Sequence, residues 1–168
     1  MEEITRRMGF EGKWNRWIME CISFVSYNFI FNGKRSNTFV PTRGLRQGDP
    51  LSPYLFLFII DVLSRMVCQA LKSRSMSGIK LSRECPKLTH LFFADNSLFF
   101  LFVDVRNCEV LRNILGKYFQ FSGQAINLNK SSMIFNANVP EQVNEELERC
   151  MQVYVVENCG TYLGIPSF

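Results

Sequence analysis

Histidine occurs once in the 168 residues, as His90, and none of the six cysteines forms a C-x-x-C pair. A zinc site of the finger or ribbon type is therefore excluded. The opening Met1-Glu2-Glu3 is acidic and no apolar stretch follows it, so no secretory leader is expected there. The cysteines then read as reduced thiols of an intracellular protein, with nucleus or cytoplasm left open. Proline and glycine are scarce, at 6 and 10 residues, and form no linker, repeat or low-complexity tract. Neither apolar run matches a bilayer span. Leu51 to Ile60 stops at Asp61, and Leu91 to Val103 is interrupted by Asp95 and Asn96. No membrane partner is expected.

What is abundant is apolar surface. The chain is 47% hydrophobic with 16 Phe, enough for one packed domain without disulfides. Its net charge of +4 is compatible with nucleic acid without being diagnostic of it. Trp14, Trp17, Ile18, Cys21, Ile22 and Val25 recur at helical spacing and predict a helix over about residues 11–26. Tyr27 to Lys34 reads as a strand running into an Asn-Gly turn, with a return strand near Thr38 to Pro41. A long helix from Leu51 to Leu71 follows. Leu88 to Ala94 and Leu98 to Val103 read as paired central strands covered on both sides, turning at Asp95-Asn96. Val105 to Phe119 predicts a helix ending near Ser122-Gly123, Lys130 to Asn136 a strand, and Pro140 to Met151 a short helix. This order predicts an α+β fold, an antiparallel sheet with helices packed on one face.

Two segments carry candidate chemistry. Arg43-Gly-Leu-Arg-Gln-Gly-Asp-Pro-Leu-Ser-Pro53 places two glycines, two arginines and a glutamine just before a helix N-terminus. Exposed backbone N–H groups, the helix dipole and the arginines favour a phosphate group there. The same loop also serves simply to start a helix, with Asp49 or Ser52 as N-cap and Pro50 or Pro53 at the first position. In Phe92-Phe-Ala-Asp-Asn96 a carboxylate and an amide stand together at a tight turn. That suits a rigidly held Mg²⁺ ligand, and it is also ordinary turn chemistry. His90, on an apolar strand, reads as a core or pocket-side histidine rather than an acid–base catalyst.

These segments, with Ser122-Gly-Gln-Ala-Ile-Asn127, Lys130-Ser131 and Tyr162-Leu-Gly-Ile-Pro166 in order, resemble the reverse transcriptase of plant non-LTR (LINE-type) retrotransposons. Met8-Gly-Phe10, Trp14 to Tyr27 and Asn32-Gly-Lys34 extend the resemblance over nearly the whole chain. It implies a partial polymerase palm with adjoining fingers over residues 1–168, acting in RNA-directed DNA synthesis on an RNA template and a DNA primer with Mg²⁺. By resemblance, Arg43, Arg46, Gln47 and Gly48 would line the template and nucleotide pocket. Asp95 would be the metal-binding catalytic aspartate with Asn96 beside it, and Lys130 would sit by the triphosphate. Tyr162, Leu163 and Gly164 would belong to the primer grip.

Two departures from that family bear on activity. Its catalytic motif ends in two adjacent aspartates, whereas here Asp95 is followed by Asn96. Its preceding strand, which carries another catalytic aspartate, would fall before Met1; Asp61 and Asp104 stand in other motif contexts and do not replace it. The expectation is a catalytically inactive fragment whose remaining strands expose unpaired edges. A retained module that binds RNA, DNA or a protein is the alternative. Arg35, Arg43, Arg46, Lys72, Arg74, Lys80 and Lys130 could follow a nucleic-acid backbone, or could equally be solvated surface charge.

Overall fold

A computed structural model describes residues 1–42, 44–157, 161–162 and 165–166, the last four by strand placement alone. The chain divides inside one long helix into two compact units, Met1–Val62 and Leu63–Phe168.

The first unit opens with a helix not anticipated above, α1 (Glu2–Arg7). Its local logic is electrostatic. Glu2 and Glu3 lie in the first turn and Arg6 and Arg7 in the last, matching the helix dipole. Glu3 also holds both arginines, at 2.6 Å and 2.7 Å. After Gly9, in a left-handed turn at φ 85°, comes α2 (Gly12–Ser23), shorter at both ends than expected. Ile18 of α2 is buried, and Trp14 stacks on Phe10 at 4.2 Å with the edge of Phe58 against both rings. Trp17 faces outward beneath Lys13, whose Nζ lies 4.9 Å from the ring centroid. The hairpin turns at the expected Asn-Gly, but its return strand is not the expected Thr38 to Pro41, where only the bridge Tyr27↔Phe39 forms. β1 (Ile30–Phe31) pairs antiparallel with β2 (Lys34–Arg35), and both Asn32 and Gly33 take positive φ at the turn.

Helix α3 (Ser52–Lys72) supplies both units. By length and composition alone it could cross a bilayer, which corrects the expectation that its apolar run was too short. Leu55, Leu63, Val67 and Ala70 are nevertheless buried within the protein, and Asp61 and Arg65 in its middle both have partners. Tyr54 and Leu57 of the same helix are exposed.

In the second unit β3 (His90–Phe93) pairs with β4 (Asn96–Phe99) in register His90↔Phe99 to Phe93↔Asn96. The turn is therefore Ala94-Asp95, one residue earlier than expected, with Ala94 at φ 49°. At its base the hairpin gains bridges from Gly78 to Leu101 and from Ile79 to Leu88. It is not a pair of central strands covered on both faces, because Leu91 and Phe93 are about half exposed. Their apolar character reflects a surface that this fold leaves uncovered. Helix α4 (Val105–Ser122) runs from the Asp104 cap, whose Oδ1 accepts from Arg106 N–H at 3.3 Å, to Gly123 in the left-handed conformation. It packs on α5 (Glu141–Met151), burying Leu111, Leu115 and Leu147. Arg112 fastens the pair by donating to the Cys150 carbonyl oxygen at 3.1 Å.

Lys130 ends a 3-10 turn, Leu128–Lys130, rather than starting a strand. The expected strand shrinks to β5 (Ser132–Met133), paired in parallel with β6 (Tyr154–Val155). β7 (Thr161–Tyr162) pairs antiparallel with β8 (Ile165–Pro166). Among the described residues the strands thus form four two-stranded sheets, not one antiparallel sheet. The mixture of helices and small sheets is α+β; the first unit buries Ile4, Ile18 and Leu55, and the second buries residues of α3, α4 and α5 with Met76.

Candidate functional site

The glycine-rich loop is shaped by short polar contacts. Gly44 and Gly48 take φ of 90° and 79°, which a side-chain-bearing residue adopts only with strain. Asp49 Oδ1 accepts from Leu51 N–H at 2.8 Å, and Ser52 Oγ donates to the Arg46 carbonyl oxygen at 2.7 Å. Asp49 thereby closes an Asx-type turn just ahead of α3. Arg46, Gln47 and Gly48 are exposed. The loop closes over a cavity of about 30 Å³ shared with Cys21 and Ile22 of α2 and with Tyr27. That is space for about one water. Arg43 lies outside the described residues.

In the second unit Asp95 stands exposed at the tip of the β3–β4 turn, and Asn96 follows as the first residue of β4. The hairpin ladder fixes both backbones through Phe93↔Asn96. Lys130 is exposed on its own 3-10 turn, where its N–H donates to the Asn127 carbonyl oxygen at 3.0 Å. Among the described residues no group of three His, Cys, Asp or Glu side chains comes together to hold a metal. The donors at this turn, one carboxylate and one neutral amide, do not fit a pair of Mg²⁺ ions, which demand several hard, charged oxygens. Tyr162 falls in β7, with only its strand placement described, and Leu163 and Gly164 lie outside the described residues.

Two polar clusters were not foreseen. His90 bridges α3 and β3, with Nε2 2.8 Å from Ser64 Oγ and Nδ1 2.9 Å from Thr89 Oγ1. Partial burial holds its imidazole below the usual histidine range. Both ring nitrogens are thus engaged, as expected for a structural histidine. Asn107, almost fully buried, accepts from Ser77 N–H at 2.9 Å and donates to the Phe102 carbonyl oxygen at 3.1 Å. It ties the start of α4 to the segment beneath the hairpin. Its signal in the sequence is only a polar residue on an otherwise apolar helix face, Asn107-Leu111-Ile114.

Residues 2–166 match the pattern of the family described as "Reverse transcriptase (RNA-dependent DNA polymerase)". The chain belongs to the reverse transcriptase family. Among its relatives is a "Retrovirus-related Pol polyprotein from type-1 retrotransposable element R2" of Popillia japonica. That protein is 28% identical over 136 residues, 80% of this chain and 21% of the relative. An uncharacterized mitochondrial protein of Arabidopsis thaliana is 46% identical over 69 residues, 41% of this chain and 57% of the relative. The match to this reverse transcriptase chain therefore extends over about a fifth of the first relative and somewhat over half of the second. Similarity to a non-LTR retrotransposon polyprotein accords with the order of motifs read from the sequence. As a reverse-transcriptase domain the chain presents two exposed polar features, the Arg46–Gly48 loop in one unit and the Asp95–Asn96 turn in the other.

Proposed function

We propose that this chain is a reverse-transcriptase palm with part of the fingers, acting inside the cell, that handles template and primer without polymerising nucleotides. In this reading Arg46, Gln47 and Gly48, with Arg43, face the template and incoming nucleotide, Lys130 serves the triphosphate, and Tyr162 to Gly164 serve the primer. The observation that carries the loss of chemistry is the Asp95–Asn96 turn, where the amide of Asn96 takes the place of a second carboxylate. Two-metal phosphoryl transfer needs carboxylates to hold the ions and offset the triphosphate's charge. Losing about 4 kcal/mol of transition-state stabilisation would slow the reaction roughly a thousandfold.

Primer extension on an RNA template with Mg²⁺ tests this, using the chain, Asp95→Ala and Asn96→Asp. The chain should give no more product than Asp95→Ala. Extension clearly above that control would overturn the reading. Product from Asn96→Asp alone would identify the missing carboxylate as the cause.

A further inference from the structure

The β1–β2 hairpin buries almost nothing. Every residue from Asn28 to Val40 is exposed, and Phe29, Phe31 and Phe39 are 65%, 78% and 40% accessible. The apolar residues are nonetheless ordered. Side chains alternate along a strand, so Tyr27, Phe29 and Phe31 share one face. The pairings Tyr27↔Phe39 and Phe31↔Lys34 put Phe39 and Lys34 on that same face. Phe29 stacks on Phe39 at 5.1 Å with a 20° tilt, and Tyr27 meets Phe39 at 5.6 Å. The opposite face is mixed, with Ile30 beside Arg35 and Asn28 donating to Thr38 Oγ1 at 2.8 Å.

Charge is one-signed as well. From Cys21 to Gly48 the sequence carries Lys34, Arg35, Arg43 and Arg46 and no Asp or Glu. At its inner end the aromatic row meets the glycine-rich loop, because Tyr27 lines the same small cavity as Gly44, Leu45 and Arg46.

We infer that this face is a stacking platform for single-stranded nucleic acid, with bases laid on Phe29, Phe31 and Phe39 and phosphates met by Lys34. Exposed aromatics beside a cation are what a single strand needs. Every base offers a ring face, and the backbone charge repels carboxylates. A duplex hides its base faces and would gain only the electrostatic part. The platform extends the template-handling role proposed above and rests on it for the direction of the strand, which would run from the Arg46–Gly48 loop toward the hairpin tip.

Fluorescence anisotropy of the full chain with a labelled 12-nucleotide oligo(U), and separately with a blunt RNA duplex, is the test. The single strand should bind more tightly than the duplex and weaken as salt rises from 50 to 200 mM. Phe29→Leu with Phe31→Leu keeps apolar bulk and removes the rings. It should weaken single-strand binding about tenfold or more and leave duplex binding unchanged. Phe31→Trp should retain or improve binding. Lys34→Ala should weaken both ligands and reduce the salt dependence. Equal affinity for strand and duplex, or no effect of the double leucine variant, overturns the platform. So does no binding by the parent chain, or a ring-dependent self-association or vesicle binding in its place. These readouts do not depend on polymerisation, so absence of primer extension leaves the platform standing. Loss of strand binding likewise leaves the reading of Asn96 standing.

Discussion

Gly78 is the position where the second unit has no room. A Cβ built there would collide with Thr89 Cγ2 and lie 2.5 Å from the Leu88 carbonyl oxygen. The oxygen cannot retreat freely, because it accepts from Ile79 N–H at 2.9 Å while Leu88 N–H donates to the Ile79 carbonyl oxygen at 2.7 Å. Nor can Gly78 itself withdraw, since the preceding Ser77 N–H is held by Asn107 Oδ1 at 2.9 Å. Gly78→Ala should therefore destabilise by about 2–3 kcal/mol, the upper part of the range for overpacking a filled site. With an ordinary urea slope that is a midpoint lower by about 1 M. Thr89→Ser removes Cγ2 while retaining the hydroxyl beside His90. Alone it should cost about 1 kcal/mol for the lost buried methyl. Combined with Gly78→Ala it should cost less than the sum, because one of the two clashes disappears, while the clash with Leu88 keeps the pair below the parent. Urea unfolding followed by circular dichroism measures all three. A Gly78→Ala cost under about 0.5 kcal/mol, or strict additivity of the pair, would refute the reasoning.

Ala94 holds φ 49° in the turn that carries Asp95, a conformation costing a non-glycine residue about 1–2 kcal/mol, so Ala94→Gly should raise the urea midpoint. An unchanged or lower midpoint would show the turn to be unstrained. Burial lowers the His90 pKa in the folded state, so the unfolded chain takes up its proton first. Stability from this residue is complete above the ordinary value near 6.5 and declines as pH falls through it. The midpoint advantage of the parent chain over His90→Gln should shrink between pH 7 and pH 5, and a constant advantage would contradict the assignment. Burial, with Cys150 and Asp104 adding to it, pushes the Cys108 thiol up to about 11. At pH 8 its thiolate is about a hundredfold scarcer than at the reference value of 9.0, so in the native chain iodoacetamide should label exposed Cys21 well before Cys108, by peptide mass spectrometry. Equal labelling rates would place Cys108 at the surface.

Local chemistry determined much of this protein before any packing was considered. Helical spacing placed α2, α3 and α4, and Asp104 and Gly123 cap α4 through contacts within a few residues of chain. Asn32-Gly33 set the first hairpin for the same reason, and the ordered motifs pointed to the reverse transcriptase family that residues 2–166 match. Residues 2–7 carried a helix signal in their own charges, acids first and arginines last, that apolar periodicity does not detect. What the sequence left open depends on residues far apart in the chain. Apolar strands such as Leu91-Phe92-Phe93 look the same whether both faces are covered or one is bare, and only the fold leaves Leu91 and Phe93 half exposed. Parallel pairing of β5 with β6 brings Ser132 beside Tyr154, a choice that neither segment encodes alone. His90 found Ser64 across 26 residues, and Asn107 found Ser77 across 30. Gly78 is required by the approach of Leu88 and Thr89 rather than by its own backbone angle. Such contacts reward residues only after the intervening chain has been ordered, so their partners become visible in the tertiary structure alone.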